Sequence, residues 1–556
     1  MNTPQNTISR SAFLCLIAVY VFCFAHSTVV QLADPLQLNW DPSMYLHFAQ
    51  MLLNGGVPYV DFVDINPPLI IYLSVIPAFV AHLINVHIIV IFKFVIELFA
   101  IFSFCLILAT VKRRFLDDEK WLYLACVLAV IACTGSVIGR EFGQREHIFL
   151  LSYLPFFFVR WSRWEGQTPN RTIAIIAGLF AAIGLCLKPQ FLTMPILCEL
   201  YWLFRFRKWR TLFTPETITC LIALVSYPVH FLLVPHAMRD AFKQIIVEYP
   251  LFQNFYGCSW LLSLVLGGRY WPQIFVAFLG SVLTASFLRK KHPIIPPLIV
   301  FTIAGYLSVV IQRKWWDYYK IPMWLGILML AGIVVAALIR GAGFKLKQSG
   351  TSEGFYEKLV MVTLAVAGLG FFGMDSAKIL PAINAFSLEE PTAGRALSAR
   401  LKEALDEKAK VSPMLATLMR EVKPGDRELM ISEILLPEYP AILQYGVQLG
   451  SRYPFPFLMG INKLAEFQAI SSNNSTSAAK FHERVGEEIG KILDDASARQ
   501  PRIIFLKQES KELDSCRAQS NFSQRLLSGF REVDSFSESP DVVPWKYRVY
   551  VRDAKP

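Results

Sequence analysis

The chain has 556 residues, of which 54% are hydrophobic and only 17% are charged, and its mean hydropathy is +0.43. This composition is too apolar for a soluble globular protein and is typical of a protein that crosses a membrane several times. The net charge of +11 does not indicate a nucleic-acid partner, because many basic residues stand in short clusters between apolar runs, as in cytoplasmic loops.

Apolar runs recur along the first two thirds of the chain. A spanning helix needs ~20 apolar residues. The first run could be a cleaved signal peptide, but no clear small-residue cleavage site follows it, so we interpret it as a retained span. About eleven spans are predicted, at 10–31, 87–111, 120–138, 147–161, 172–188, 190–204, 214–235, 271–288, 294–312, 321–339 and 356–375.

Basic clusters fall at every second junction between these runs. They lie at 112–114, at Arg160 with Arg163, at 205–210, at 289–291 and at 340–347. The positive-inside rule places all of them in the cytoplasm. The N-terminus is then cytoplasmic and the C-terminus lies outside, as expected for a multi-pass protein of the bacterial inner membrane.

The segment 67–85, "PPLIIYLSVIPAFVAHLIN", is long enough to be a span as well. If it crossed the membrane, every later basic cluster would lie outside. We therefore predict a helix that lies against, or dips into, the outer leaflet, and Pro77 inside it agrees with that. An ordinary span is the alternative on hydropathy alone.

The tail at 377–556 is charged and mixed in pattern, so it predicts a soluble α/β domain on the outer face, after a membrane domain at 1–376. Two stretches, at 396–411 and 481–498, predict amphipathic helices. "RELMIS", "PRIIFLK" and "YRVYVR" predict strands, and the polar stretch at 471–479 predicts a loop. Cys258 and Cys516 fall outside the predicted spans and could form a disulfide.

Charged residues also concentrate at the outer ends of the spans, in "GREFGQREHIF", "LKPQ" and "QRKWWDYYKIP". Basic residues there run against the positive-inside bias and predict an anionic ligand, which Arg and Lys can clamp while Tyr hydroxyls donate hydrogen bonds. The alternatives are an aromatic belt with snorkelling lysines and a solvated loop with weak ion pairs. The predicted phosphate-binding residues are Arg140, Arg145, Lys188, Arg313, Lys314, Tyr318 and Tyr319, with Glu146, His147 and Arg269 lining the site. Lys93 and Glu97, four apart on one predicted span, are expected to pair with each other.

The outer loop at 32–86 carries acids that an ordinary connector does not need. Asp41 follows the first span and precedes a helical pattern at 42–54, so it could be the N-cap of that helix. "NGGVPY" ends the helix, and Asp64 precedes Pro67-Pro68. A carboxylate placed there can act as a general base. Asp41 and Asp64 are therefore the predicted catalytic acids, and Tyr59 and Asn66 line the same site.

This loop resembles the first outer loop of membrane glycosyltransferases of the GT-C superfamily. The pattern is similar to that of protein O-mannosyltransferases and lipid A aminoarabinose transferases: an Asp after the first span (Asp41), an amphipathic helix, a break at Gly55-Gly56, then an acid (Asp64) before Pro67-Pro68. The resemblance extends to the topology over about 1–375, and an outer soluble domain after the last span resembles the aminoarabinose transferases.

The resemblance implies a transferase that moves one sugar from a polyprenyl-phosphate carrier to a lipid, glycan or protein acceptor at the outer face. It implies that Asp41 is the catalytic carboxylate, that Asp64 is a second acid, that Arg140 or Arg145 is the basic residue of the second outer loop, and that Tyr318 or Tyr319 is the late-loop tyrosine. No cofactor is required by the sequence, and a divalent metal is not demanded.

One departure concerns the residue before Pro-Pro, which is Lys in the lipid A enzymes and Asn66 here. The lipid phosphate must then be held by other residues, such as Lys188, Arg313 or Lys314. Two further hypotheses remain. A transporter or flippase of a lipid-linked or anionic solute should show internal repeats and ionisable groups near the midplane, and an assembly subunit would keep the fold without the chemistry.

Overall fold

A computed structural model of the chain is mostly helical, with a sheet domain near the C-terminus. The chain folds into two compact units. The first comprises Met1–Asp34, Lys93–Leu232 and Cys258–Glu389, and the second comprises Pro35–Phe92, Leu233–Gly257 and Glu390–Pro556. The described residues are 10–111, 138–264, 294–314, 316–333, 393–433, 435, 437–538 and 545–553, with the single positions 129, 133, 279, 280, 282, 283 and 286.

The helices and strands are numbered in chain order. The helices are α1 (Arg10–Ala33), α2 (Trp40–Leu53), α3 (Leu69–Ile84), α4 (Ile88–Val111), α5 (Arg145–Trp164), α6 (Arg171–Leu187), α7 (Thr193–Phe206), α8 (Pro215–His230), α9 (His236–Tyr256), α10 (Ile295–Gln312), α11 (Ala393–Val411), α12 (Pro413–Glu421), α13 (Glu438–Tyr445), α14 (Phe457–Ser471), α15 (Ser475–Arg499), α16 (Lys511–Ala518) and α17 (Phe522–Leu526). The strands are β1 (Arg427–Ile431), β2 (Gln448–Leu449), β3 (Ile503–Lys507), β4 (Phe530–Glu538) and β5 (Trp545–Arg552).

Helices occupy the predicted spans that fall within the described residues, and residues 321–333 are helical as well. The predicted spans at 120–138 and 271–288 lie largely outside those residues, and the one at 356–375 lies wholly outside. Among the described helices, α4 and α10 are long and apolar enough to cross a membrane by length and composition. The count of eleven spans and their topology stay predictions.

Polar groups of α4 in the first unit bond to α1. The Lys93 ammonium donates to the carbonyl oxygens of Gln31 (3.1 Å) and Asp34 (2.7 Å), and Glu97 accepts a hydrogen bond from the Ser27 hydroxyl. In place of the predicted Lys93–Glu97 pair, Lys93 bonds to the last turn of α1 and the residue after it, and Glu97 bonds to Ser27 of α1. The physical reason is that α1 packs along this face and offers partners to both buried side chains.

A buried ion network joins α5, α7 and α8 in the first unit. Arg160 is fully buried and donates to both carboxylate oxygens of Glu199 (2.6 and 2.7 Å) and to Glu216 (3.0 Å). Arg163 donates to the same Glu216 at 3.1 and 3.0 Å, and Thr214 donates to it at 2.7 Å. Two arginines that the sequence assigned to a cytoplasmic loop thus fix the packing of three helices.

Close approach of α6 and α8 depends on Gly178. A Cβ added there would lie 2.3 Å from the carbonyl oxygen of Glu216, a distance that requires the main chain to shift. Glycine therefore lets the two backbones pack directly against each other.

The C-terminal part of the second unit contains a five-stranded sheet in the order β2-β1-β3-β5-β4. Strand β1 pairs in parallel with β2 and β3, while β5 is antiparallel to β3 and β4. A C-terminal sheet domain is therefore confirmed, and the three predicted strands are β1, β3 and β5. The predicted domain boundary at 376–377 lies outside the described residues.

One apolar core in the second unit combines three segments that are far apart in the sequence. Tyr59 and Val63 come from the first outer loop, and Met238, Ile245 and Phe252 come from α9. They pack with residues of the sheet domain, which include Leu429, Ile431, Phe457, Ile489, Ile492 and Ile504. The first outer loop and the sheet domain are therefore parts of one folded unit.

Helix α3 has 16 residues and packs against α2. At 1.5 Å per residue it is about 24 Å long, shorter than the ~30 Å hydrocarbon core of a bilayer. This length supports the predicted surface helix, which stays a prediction. Cys258 and Cys516 are free thiols, so the disulfide considered from the sequence does not form in this structure.

Candidate active site

Helix α2 begins with Asn39 as its N-cap, whose side-chain oxygen accepts from the N–H of Trp40 at 2.8 Å. Asp41 is therefore not the cap. It lies in the first turn of the helix with a half-buried side chain, where the helix dipole favours a negative charge. The prediction that Asp41 caps this helix is therefore wrong, because Asn39 is the N-cap.

The chain after α2 folds into a tight loop. Gly55 has φ +89° and Tyr59 has φ +67°, and the Tyr59 hydroxyl donates to the carbonyl oxygen of Asn66 at 2.5 Å. The Asp61 carboxylate accepts from the N–H of Val57 at 2.7 Å. The Tyr59–Asn66 bond links the start of the loop to its end. The Asp61 carboxylate binds a backbone N–H within the loop.

Asp64 is buried, with 5% of its surface exposed, and is held by neutral donors. The Asn66 amide donates to both of its carboxylate oxygens at 2.9 and 3.1 Å, and the N–H of Ile65 donates at 2.7 Å. The same amide lies 3.2 Å from the Tyr45 hydroxyl. Asn66 therefore binds Asp64, two residues earlier in the same loop.

Three predicted residues of the first unit, Glu146, Tyr318 and Tyr319, lie around Lys188, which follows α6. Its ammonium is almost fully buried, forms an ion pair with Glu146 at the start of α5 and lies 3.3 Å from the amide oxygen of Gln312. It also lies 4.0 Å from the ring centroid of Tyr319 and 5.3 Å from that of Tyr318. The charge of Lys188 is therefore balanced by a buried carboxylate and two aromatic faces.

His147 lies next to Glu146 and uses both ring nitrogens. Its Nδ1 accepts from the N–H of Gly143 at 3.1 Å, and its Nε2 lies 3.0 Å from the carbonyl oxygen of Cys133. This pattern requires the neutral tautomer with the proton on Nε2, because a carbonyl oxygen can only accept. The contacts assign His147 a structural role in shaping the loop before α5.

Arg313 ends α10 in a left-handed conformation, with φ +57°. Its guanidinium donates to the carbonyl oxygen of Cys258 at 2.5 Å and lies 5.6 Å from the ring of Trp260. Within the described part of the chain, Arg313 forms no ion pair with a carboxylate. Lys314 is buried, 5.3 Å from the ring of Trp316.

The structure thus places the predicted residues in two groups. Asp41, Tyr59, Asp64 and Asn66 belong to the second unit, and the predicted phosphate-binding residues, which include Tyr318 and Tyr319, belong to the first. Arg145 is buried at the start of α5. The backbone of Arg140 lies in a short 3-10 turn, and Arg269 lies outside the described residues. In the part of the chain that the structure describes, no cluster of three or more His, Cys, Asp or Glu residues could hold a metal ion.

A buried contact that the sequence did not reveal links α2 to the sheet domain. The Nδ1 of His47 lies 2.7 Å from the hydroxyl of Tyr439, and burial lowers the pKa of His47 to about 4, so the imidazole is neutral at physiological pH. One signal was present: His47 stands between the apolar residues Leu46 and Phe48 of α2.

Two buried acids lie beside this contact. Glu428 on β1 and Glu438 at the start of α13 are fully buried, and burial raises the pKa of Glu428 to about 8. The pKa of Glu438 is also raised well above its ordinary value. Burial is the larger cause, and the neighbouring Glu428 is the smaller one. The two acids are therefore protonated well above the usual range of a glutamic acid.

We expect the stability of this domain to fall as pH rises from about 4.5 to about 8, the ordinary and folded pKa values of Glu428. The folded state keeps the proton over this range while the unfolded chain releases it, so unfolding is favoured increasingly. Glu428→Gln removes this titration. Its thermal unfolding midpoint in detergent should exceed that of the wild type at pH 8 and approach it at pH 5.

Glu403→Gln is the matched control, because Glu403 lies on the exposed side of α11 and pairs with Arg400 in the preceding turn. Its midpoint should follow the wild type at both pH values. An equal midpoint difference for Glu428→Gln at pH 5 and pH 8 would contradict the raised pKa of this acid.

Comparisons with known proteins match the chain to solved structures. No family model matches the chain, and no curated protein matches it. The chain is similar to a solved structure of ArnT from Cupriavidus metallidurans bound to undecaprenyl phosphate. The match covers 98% of this chain and 99% of that chain, at 13% identity and a TM-score of 0.47.

Proposed function

We propose that the protein is a glycosyltransferase of the bacterial inner membrane that moves one sugar from a polyprenyl-phosphate carrier to an acceptor at the outer face. The first outer loop carries this proposal. Its sequence has the GT-C pattern, and it holds one half-buried acid, Asp41, at a helix start and a second acid, Asp64, buried among neutral donors.

In the proposed reaction Asp41 accepts the proton of the acceptor hydroxyl. The acceptor oxygen forms a bond to the anomeric carbon of the sugar while the bond from that carbon to the phosphate oxygen breaks. The electron pair leaves on the lipid phosphate, and the anomeric configuration inverts. A buried carboxylate with fixed hydrogen bonds, as in Asp64, can orient sugar hydroxyls at such a site.

The leaving phosphate gains negative charge, which cationic donors stabilise. Lys188 already faces Glu146, so a phosphate near it would meet a neutral pair. Arg313 has a guanidinium fork and no carboxylate partner within the described residues, and such a fork suits bidentate phosphate binding. We therefore propose Arg313 as the principal phosphate-binding residue, with Lys314 beside it in sequence.

The function is tested by incubating the purified protein with polyprenyl-phosphate hexoses and pentoses and measuring the released polyprenyl phosphate. Release that depends on an added acceptor supports a transferase. A transporter or flippase would move the donor across a vesicle membrane without cleaving it, and an assembly subunit would do neither. Movement of the donor across the vesicle membrane without its cleavage would therefore contradict the proposed transferase function.

Arg313→Ala should weaken the binding of polyprenyl phosphate by about 10-fold or more, since a hydrogen bond to a charged group contributes about 1.5–3 kcal/mol. Binding is measured by titrating the detergent-solubilised protein with polyprenyl phosphate. Arg313→Lys keeps the charge but loses the fork, so we expect an intermediate affinity. Unchanged affinity in both variants would exclude Arg313 from the phosphate site.

A further inference from the structure

The end of α15 contacts the first outer loop directly. In the last turn of this helix, the Arg499 guanidinium donates to the carbonyl oxygen of Asp61 at 2.8 Å and to that of Ser451 at 3.1 Å. One side chain of the sheet domain therefore bridges two backbone segments, one of which lies three residues before Asp64.

A second contact reaches the same loop through Arg452. The carbonyl oxygen of Arg452 accepts from the N–H of Val63 at 2.8 Å. The Asp495 carboxylate, one turn before Arg499 on α15, holds Arg452 in place. It accepts from both ends of the guanidinium at 2.9 and 2.8 Å and from the N–H of Arg452 at 2.8 Å.

The two contacts lie on either side of Phe62, which is fully buried. The carbonyl of Asp61 and the N–H of Val63 are both fixed, so the direction in which the backbone enters Asp64 is fixed as well. Val63 also packs in the same apolar core as Ile489 and Ile492 of α15. Polar and apolar contacts thus hold the segment 61–63 on one helix.

We infer that Asp495, Arg452 and Arg499 are positioning residues for the acid network of the first outer loop. They touch no reacting atom. They hold 61–63 so that Asp64 stays within reach of the Asn66 amide, and the sheet domain thereby shapes the catalytic loop. This inference rests on the proposed glycosyltransferase function.

A positioning role predicts a specific kinetic pattern. Arg499→Ala should lower kcat by about 10-fold or more, because a misplacement of about 1 Å remote from the reacting atoms can cost up to about 100-fold. The KM for the polyprenyl-phosphate donor should change by less than about 2-fold, since an interaction that acts on the reaction step alone leaves ground-state binding intact. Arg499→Lys, which can still donate to Asp61, should recover part of kcat.

The loop itself gives a readout that does not depend on activity. Hydrogen exchange of peptides covering 57–66, measured by mass spectrometry on the full-length protein in detergent, should be faster in Arg499→Ala and in Asp495→Asn. The control is Arg525→Ala, because Arg525 is an exposed arginine of the same domain. Its exchange and kcat should match the wild type. If Arg499→Ala does not fold, exchange and kcat are measured in the milder Arg499→Lys and Asp495→Asn variants instead.

Faster exchange together with a lower kcat and a retained KM supports the inference. Unchanged exchange in Arg499→Ala and Asp495→Asn would show that these residues do not hold the loop. Faster exchange with an unchanged kcat would show that they hold the loop without positioning it for the reaction. If the wild type releases no polyprenyl phosphate from any donor, the proposed function fails, and the exchange measurement still decides whether these residues hold the loop.

Discussion

Asp41→Asn should abolish the release of polyprenyl phosphate while the protein stays folded. General-base catalysis contributes about 10²–10⁴-fold to a rate, and an amide cannot take the proton of the acceptor hydroxyl. Loss of the negative charge in the first turn of α2 should cost only about 0.3–1 kcal/mol of stability. The measurements are initial rates at saturating donor and the thermal unfolding midpoint of the same preparation.

Asp61→Asn is the matched control, because it makes the same chemical change in the same loop. The Asp61 carboxylate accepts from the N–H of Val57, and the amide oxygen of Asn can accept that bond as well. We therefore expect a near wild-type rate. Wild-type activity in Asp41→Asn, or an equal loss in Asp61→Asn, would remove Asp41 from its role as the base.

Glu216→Ala should destabilise the first unit by about 3–5 kcal/mol, because removal of one partner from a buried ion network leaves uncompensated charge. Arg160 would keep Glu199 as a partner, whereas Arg163 would lose its carboxylate contact at Glu216. We expect a large fall in the thermal unfolding midpoint of the full-length protein in detergent, together with a lower yield of monodisperse protein.

The control for this prediction is Glu403→Ala. Glu403 is exposed and pairs with Arg400 one turn away, and exposed pairs contribute about 0–1 kcal/mol. A midpoint for Glu216→Ala that lies close to that of Glu403→Ala would mean that the network around Arg160 does not stabilise the helices.

Much of the local structure could be predicted from the sequence, because local structure follows from hydrophobic period and turn chemistry. Strands β1, β3 and β5 were predicted from short runs of apolar and β-branched residues. Strand β4, "FREVDSFSE", was missed because it is a polar, half-exposed edge strand. The predicted loop at 471–479 is helical from Ser475, since Asn474 caps α15 by accepting from the N–H of Ser477.

The sequence supplied candidate site residues, which stay predictions, but it did not predict their contacts. Asp41, Asp64 and Asn66 stood out because polar residues were concentrated in one short loop. The sequence did not predict that Asn66 donates to Asp64 or that Lys188 pairs with Glu146, 42 residues earlier. Such pairs depend on how helices and loops pack, and no local pattern encodes them.

Composition and patterning alone predicted a membrane protein with a polar outer loop, an outer set of charged residues and a C-terminal α/β domain, since those features follow from which residues are apolar and at what period. Of these features, the structure shows the C-terminal sheet domain. Only the tertiary structure decided that the first outer loop folds with the sheet domain. The core that joins Tyr59, Val63 and Met238 to the sheet, and the bonds from Arg452 and Arg499 to the loop, connect residues hundreds of positions apart. Contacts between such distant residues depend on the packing of the whole chain, which a linear pattern does not specify.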